Sequence, residues 1–415
     1  MVALASIHHP AILLAAILLA ILELAVIASL VYHGVLLVAG AVRPRRPASP
    51  NGPTPHLAVV VPAHNEETVI TATVAAARSQ RYPADRLHVY VVADYCSDTT
   101  AARARQAGAI CLERNDGPRG RKAYALQWGL AQLLADDLAL DAFVVIDADS
   151  QLEPTFAATM ASHLQSGRTV LQGQHRIANP RDSAFTGLAD VDMRTNNLLR
   201  NQAKGALGLS GRLMGDAMCF ARTIIETFGW PTETITEDRE FGLYLGLRGI
   251  RTFYVPEAIS RGQAAGRWQD ASKQRLRWYT GMRQVRLARL GTLWSAAWRG
   301  NLVALDGLLE LALPSISLST LLSVIAAAIQ VTLPGWPWLL PTALVLTVGI
   351  LWILFPVAAL LAAKAPWASF RALLWGPVYL VWRVWIGLRA RLGRAKGEWV
   401  RTRRREEAQG RTGES

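Results

Sequence analysis

Apolar positions along the chain follow two regimes. Long, nearly unbroken runs lie toward both ends, and short apolar runs alternating with helical periodicity lie between them. Ala11 to Val42 is apolar except for Glu23, His33 and a few small polar residues, longer than the roughly 20 residues a bilayer requires. Met1 to Pro10 contains no Lys or Arg, so the segment 1–43 predicts a retained membrane helix rather than a cleaved signal peptide, which would carry a basic flank and a shorter core. Leu311 to Leu333 and Trp338 to Ala363 are separated only by Pro334 to Pro337 and predict a tight hairpin of spanning helices within 301–363. Trp367 to Leu388 is apolar and aromatic but interrupted by Arg371 and Arg383, so 364–390 predicts an interfacial helix or a short further span.

After a Pro/Gly-rich linker over 44–56, residues 57–290 read as one α/β domain. Leu57 to Val61, His88 to Val92, Ala109 to Leu112 and Phe143 to Ile146 predict strands. Helices are expected from about Glu66, from about Thr99, over Lys122 to Ala135, and from Pro154 as the first helical residue. Continuous apolar strands alternating with helices imply a mostly parallel sheet covered on both faces. Ligands of such sheets bind beyond the carboxyl ends of the strands, where the polar clusters Pro62 to Glu67, Ala93 to Asp98 and Asp147 to Asp149 fall.

Charge orients the membrane segments. Arg43, Arg45 and Arg46 follow the first helix, and the tail over 391–415 is crowded with arginines, among them Arg394, Arg401, Arg403, Arg404 and Arg405. This asymmetry predicts an N-terminus outside, with the central domain and the tail in the cytoplasm of an inner or plasma membrane. The net charge of +13 therefore calls for anionic membrane lipids rather than nucleic acid. Cys96, Cys111 and Cys219 have no metal-ligand spacing and read as buried thiols, and Asp136-Asp137 reads as an acidic surface loop.

Several clusters carry candidate chemistry. Asn65 and Glu66 either hold a nucleobase or ribose edge or cap a helix. Asp94, at a strand end, is placed to accept from a uracil N–H or a ribose hydroxyl, whereas Asp98 suits a cap. Lys122 opens a helix after Arg119-Gly-Arg121, where fixed cations suit a diphosphate. Asp147 and Asp149 present paired oxygen ligands for Mg²⁺ or Mn²⁺, with Asp149 reaching past the strand end. Thr236-Glu237-Asp238 precedes a helix, and Asp238 is the expected general base for a hydroxyl nucleophile, unless Thr234 to Glu237 forms only a capping box. Gln274, Arg277 and Trp278 fall just before the membrane hairpin; Arg277 suits a phosphate and Trp278 a sugar ring or base, or both act as interface anchors.

Taken in order, Asp94, Asp147-Ala-Asp149, Thr236-Glu-Asp238 and Gln274-Arg-Leu-Arg-Trp278 resemble the motifs of the membrane-bound family 2 glycosyltransferases, which include the cellulose, chitin, hyaluronan and poly-N-acetylglucosamine synthases. The resemblance covers about Leu57 to Gly281. It implies a GT-A fold, a UDP-sugar donor, a divalent metal and inversion at the anomeric carbon. It assigns Asp94 to uridine, Asp147 and Asp149 to diphosphate and metal, Asp238, with Glu237 beside it, to catalysis, and Arg277 and Trp278 to the donor pocket. The synthases carry Phe-Phe-Cys-Gly-Ser at the acceptor end; Arg212-Leu-Met-Gly-Asp216 stands at the equivalent place here and keeps only the glycine.

A growing polysaccharide is the expected acceptor, with transfer of one sugar to a lipid as the alternative and a non-catalytic scaffold as the third reading. Three or four spans make a thin wall for a channel, which raises the expectation of a homo-oligomer or a partner protein. Asp306 and Glu310, one turn apart, face either a polar path or the domain at headgroup level.

Overall fold

A computed structural model describes residues 10–42, 52–135, 139–333, 336 and 338–392. The basic flank at Arg43, Arg45 and Arg46, the Asp136-Asp137 pair, most of the Pro334 to Pro337 turn and the tail from residue 393 lie outside the described residues. The first helix, α1, runs Pro10–Gly40.

Strand β1 (Leu57–Ala63) is buried at every residue, because its alternate side chains feed two different cores. Leu57, Val59 and Val61 pack with Ile70 and Val74 of α2 (Ile70–Arg78) on one face. Ala58 and Val60 pack with Leu126 and Leu130 on the other. The continuous apolar run is therefore explained by helices on both sides of the sheet. Helix α2 starts at Ile70 rather than near Glu66. Asn65 adopts a left-handed φ of 55°, and the Glu66 N–H donates to Thr100 Oγ1 at 2.8 Å, so this turn is tied across to the neighbouring loop.

Strand β2 (Leu87–Asp94), α3 (Thr100–Gln106), β3 (Ile110–Arg114), α4 (Lys122–Ala135) and β4 (Ala142–Val145) follow in the predicted alternation. Strand β5 (Gln151–Leu152) leads into α5 (Phe156–Gln165). That helix begins two residues after Pro154, whose carbonyl accepts from the Arg81 N–H at 2.7 Å. Strand β6 (Val170–Ile177) precedes α6 (Ala184–Asn196), which passes through a π-helical turn, Asn197–Gln202, into Ala203–Ala206. Then come β7 (Met218–Ala221), α7 (Arg222–Phe228), α8 (Glu237–Gly246) and β8 (Phe253–Gly262).

The eight strands form one mixed, mostly parallel sheet in the order β3-β2-β1-β4-β7-β6-β8-β5. Strands β1 to β4 are mutually parallel, and β7 runs antiparallel to both β4 and β6. Strand order reverses between β1 and β4, which opens a crevice at their carboxyl ends.

Beyond the sheet, α9 (Trp268–Trp298) carries the chain to α10 (Leu302–Ala312), α11 (Ile316–Thr332) and α12 (Thr342–Ala362). Among the described residues two helices, α1 and α12, are long and apolar enough to cross a membrane; α10 and α11 qualify together but meet at 54°. The expected single helix across 311–333 is thus broken at Pro314, which lacks a backbone N–H, and Ser315 caps the helix beyond it. Polar interruptions in α1 serve helix contacts: Gln330 Nε2 donates to Glu23 Oε1 at 2.9 Å, and Ser29 Oγ donates to the Pro314 carbonyl at 3.0 Å.

Helix α13 (Trp367–Ala372) leads into α14 (Gly376–Leu392), which is held to the domain by Arg383, paired with Asp192 at 2.7 Å, and by Trp382, donating to Ser272 at 3.0 Å. One close approach governs the domain–helix junction. A Cβ on Gly281 of α9 would lie 2.7 Å from Thr236 Cγ2 and 2.9 Å from the Thr236 nitrogen. Gly281→Ala is therefore expected to cost about 1–3 kcal/mol, as core overpacking does, and to lower the unfolding midpoint in detergent; an unchanged midpoint would remove Gly281 as a packing constraint.

Candidate active site

The loop after β4 is held from two sides. The Ile146 N–H donates to the Val60 carbonyl at 3.2 Å, and Thr73 Oγ1 donates to the Ala148 carbonyl at 2.7 Å. The Asp147 N–H donates to Asp216 Oδ1 at 2.9 Å. So anchored, Asp147 and Asp149 face a cleft of about 1090 Å³, together with Lys122, Glu237 and Asp238.

Lys122, at the start of α4, places its Nζ 2.5 Å from Asp147 Oδ1 and 2.6 Å from the Gly215 carbonyl. Burial opposes its charge, but Asp147, Glu237 and Asp216 outweigh that effect and hold the ammonium above the usual lysine range. Burial raises Asp147, with Lys122 acting against it. Gly215, with φ 81°, lies against the general-base candidate: a Cβ there would sit 3.4 Å from Asp238 Oδ2.

Helix α8 begins differently from the capping box that Thr234 to Glu237 spells. Thr236 is the N-cap but makes no side-chain cap bond. Glu240, one turn in, accepts from the Glu233 and Thr234 N–H groups at 3.0 and 2.9 Å, and Arg289 clamps its other oxygen at 2.8 Å. With Glu240 holding the preceding loop, Glu237 and Asp238 line the cleft. Burial, then the adjacent Asp238, push the Glu237 carboxyl up to about 7.

On the opposite wall, Gln274, Arg277 and Trp278 of α9 all line the cleft. The intervening Arg275 does not share their freedom. It pairs with Asp192 at 3.0 Å and donates to Tyr379 Oη at 2.9 Å, which locks α9 to α6 and α14.

The first two clusters divide. Glu66 lines the cleft. Asn65 turns its Oδ1 to accept from the Ser97 N–H at 2.8 Å, bridging two loops. Asp94 stands at the carboxyl end of β2, where expected, but its buried carboxylate pairs with Arg114 and it does not line the cleft. Asp98 accepts from the Thr100 N–H at 3.0 Å, as a cap does.

Sequence reasoning missed His175 and Asp216. His175 lines the cleft, and its Nδ1 lies 2.6 Å from Asp216 Oδ2, which also accepts from Ser260 Oγ. The contacts with Asp216 outweigh burial and raise the His175 imidazole above its ordinary value. For Asp216 the sequence signal was its place at the end of Arg212-Leu-Met-Gly-Asp216, where the synthases carry their acceptor motif; His175 carried none.

Among the described residues no three His, Cys, Asp or Glu side chains converge as a complete metal cage. Two carboxylates at a strand end, one of them steadied by Lys122, fit the sparser site in which substrate phosphates and water complete the shell of Mg²⁺ or Mn²⁺.

A family model described as glycosyltransferase-like family 2 matches residues 53–281, from the linker through Gly281. The chain belongs to this family. Its domain is a family 2 glycosyltransferase domain, and the mixed sheet with the cleft at the strand ends is the GT-A fold. Among solved structures, a mannosyltransferase from Pyrobaculum calidifontis, described in complex with GDP-Man and Mn²⁺, is similar with a TM-score of 0.57 at 20% identity, covering 88% of this chain and 99% of that one. Among curated relatives, a probable glycosyltransferase, YdaM, of Bacillus subtilis is 25% identical over 56% of this chain and 56% of its own length. The β-monoglucosyldiacylglycerol synthase of Synechocystis is 28% identical over 54% of this chain and 49% of its own length. The chain thus spans about half the length of these relatives.

The Glu237 environment makes a testable demand. Its proton is held to about pH 7 in the folded glycosyltransferase domain, against an ordinary value of 4.5 when unfolded. Stability from this group is therefore full below pH 4.5 and is lost as pH rises through 7. Glu237→Gln is expected to flatten the fall in thermal midpoint between pH 5 and pH 8; an unaltered slope would contradict the buried, proton-holding carboxyl.

Proposed function

We propose that this protein is an inverting glycosyltransferase that moves a sugar from a nucleotide diphosphate donor, a UDP-sugar by the motif set, to a hydroxyl acceptor at a membrane surface. One observation carries this reading. A single cleft runs from Asp147, Asp149 and Asp238 at the strand ends to Leu309, Leu313 and Pro314 on the helices next to the bilayer candidates.

Lys122 and Arg277 hold the diphosphate, and Trp278 offers a face for the sugar or base. Asp147 and Asp149 would hold a divalent cation, which when bound supplies positive charge to the leaving diphosphate. Asp238 accepts the acceptor hydroxyl's proton as that oxygen attacks the anomeric carbon opposite the departing group. Gly215 leaves the Asp238 carboxylate open to the acceptor. Glu237 and His175 shape the field around it. No covalent sugar–enzyme intermediate is required, because one displacement inverts the centre.

The helices favour a lipid-borne acceptor over a polysaccharide threaded through this chain. The cavity between α1, α11 and α12, around Glu23 and Ser323, measures about 10 Å³, room for a single water at most and none for a sugar chain. The polymer reading retains support from Gln274, Arg277 and Trp278 along the cleft, and then needs further copies or a partner to build a channel. Orientation follows the basic flanks, with the catalytic domain in the cytoplasm.

The test is nucleotide release by the full-length protein in lipid nanodiscs with Mn²⁺, across UDP-sugars and GDP-mannose. Asp238→Asn is expected to lower donor-selective release about 10²–10⁴-fold, the share of a general base. Release equal to that of the parent protein would remove Asp238 from the mechanism, and no release from any donor would overturn the transferase reading.

A further inference from the structure

At the membrane end of the same cleft lies a charge cluster that the transfer chemistry does not use. Glu310 of α10 is approached by Lys204 Nζ at 2.5 Å, Arg239 Nη2 at 2.8 Å, Arg212 Nη1 at 3.4 Å and Arg200 Nη1 at 3.6 Å. Asp306, one turn away, takes a second contact from Lys204 at 2.7 Å and accepts from Tyr32 Oη at 2.8 Å. Four cations therefore surround two carboxylates, with Asp238 a third carboxylate on the far side of Arg212, and the cluster is net positive. The Lys204, Glu310, Arg239 and Asp306 side chains are at most 6% exposed, and Arg200 and Arg212 are more open.

Uncompensated buried charge is costly, and a cluster with excess cations is expected to hold an anion. Two details point the same way. Arg200 Nη1 and Arg239 Nε are buried without a hydrogen-bond partner among the described residues. Arg200, Arg212 and Glu310 also line the cleft, so the excess charge is reachable from the space in which the acceptor must lie. The local field is strong enough to act on its own members. Burial, with Arg239 and Arg200 adding to it against Glu310, holds the Arg212 guanidinium below its usual range.

The geometry explains how the chain assembles this pocket. The π-helical turn Asn197–Gln202 places Arg200. Arg212 projects from the loop before β7, where its N–H donates to Asn201 Oδ1 at 2.8 Å. Asp238 adjoins the other side, since it contributes to the charge that Arg212 feels.

We propose that Arg200 and Arg212, which line the cleft, with the buried Arg239 and Lys204 adding positive charge behind them, form a binding site for a phosphate group carried by the acceptor, seated between Asp238 and the membrane helices. Guanidinium groups match phosphate oxygens in paired hydrogen bonds. The carrier is either a lipid phosphate entering past Leu313 and Pro314 or a soluble phosphorylated acceptor. This proposal rests on the transferase reading for the word acceptor only; the phosphate site itself is independent of turnover.

The experiment is calorimetric titration of the full-length protein in dodecyl maltoside micelles, without nucleotide, using dodecyl phosphate, inorganic phosphate and dodecanol. Dodecyl phosphate is expected to bind, dodecanol is not, and added salt should weaken the binding. Arg212→Gln, at the most exposed of the four cations, should weaken it at least about tenfold, with Arg212→Lys retaining part of it. Glu310→Gln should tighten binding by removing a competing carboxylate, a gain that misfolding cannot imitate; unfolding midpoints screen each variant. Binding of dodecyl phosphate far above inorganic phosphate assigns a lipid carrier, and equal binding assigns a soluble one. Phosphate binding no better than dodecanol, or unchanged in folded Arg212→Gln, overturns the proposal. Phosphate binding without donor release in any condition would instead overturn the transferase reading alone.

Discussion

One buried carboxylate holds the active site together. Asp216 accepts from the Asp147 N–H at 2.9 Å, from Ser260 Oγ and from His175 Nδ1 at 2.6 Å, so a single side chain joins the loop after β4 to strands β6 and β8. Burial alone would drive a proton onto Asp216, but these donors reverse the effect and keep its pKa below the ordinary range. A carboxylate that is both buried and ionised must keep every donor in place, and that requirement fixes the Asp147–Asp149 loop relative to the cleft wall. Gln172 extends the frame, donating to the Asp216 carbonyl at 2.8 Å and accepting from the Met214 N–H at 2.9 Å.

Around this point the sheet changes character. Its parallel half, β3-β2-β1-β4, is a doubly wound frame whose order reversal opens the crevice. The antiparallel β7, inserted beside β4, brings the Arg212 to Asp216 loop across the crevice mouth. Lys122 then bridges the two halves, contacting Asp147 on one side and the Gly215 carbonyl on the other. Charge is graded along the cleft. Carboxylates gather at the sheet edge, and excess cations gather near the membrane helices.

The helices beyond the sheet are fitted to the domain rather than merely tethered to it. Arg275 and Arg383 share Asp192, which seats α9 and α14 on α6. Lys204 and Arg239 reach Glu310, which seats α10 under helix α8. Buried ion pairs of this kind add little net stability but penalise misregister heavily, because removing one partner strands a buried charge. The Gln274–Trp278 segment is thereby presented to the cleft by a helix that has little freedom to roll.

Local pattern was enough for much of this molecule. The parallel strands β1 to β4 and helix α4 were legible because continuous apolar runs and turn-to-helix signals are properties of adjacent residues. Asp147, Asp149, Asp238, Gln274, Arg277 and Trp278 were singled out on those same local signals, and the fold brings all of them to one cleft. The sequence could not show what depends on residues far apart in the chain. Glu240 rather than Glu237 takes the Thr234 N–H, tying the loop before α8 back onto the helix, because the fold, not spacing, decides which carboxylate reaches it. Asp94 is turned to a buried pair by Arg114 on the neighbouring strand. His175, Asp216 and the cation cluster around Glu310 join positions separated by as many as 110 residues or so, and no local period encodes such meetings. Hydrophobic periodicity determined which elements form; buried charge, which must find a partner wherever the fold places one, decided how they meet.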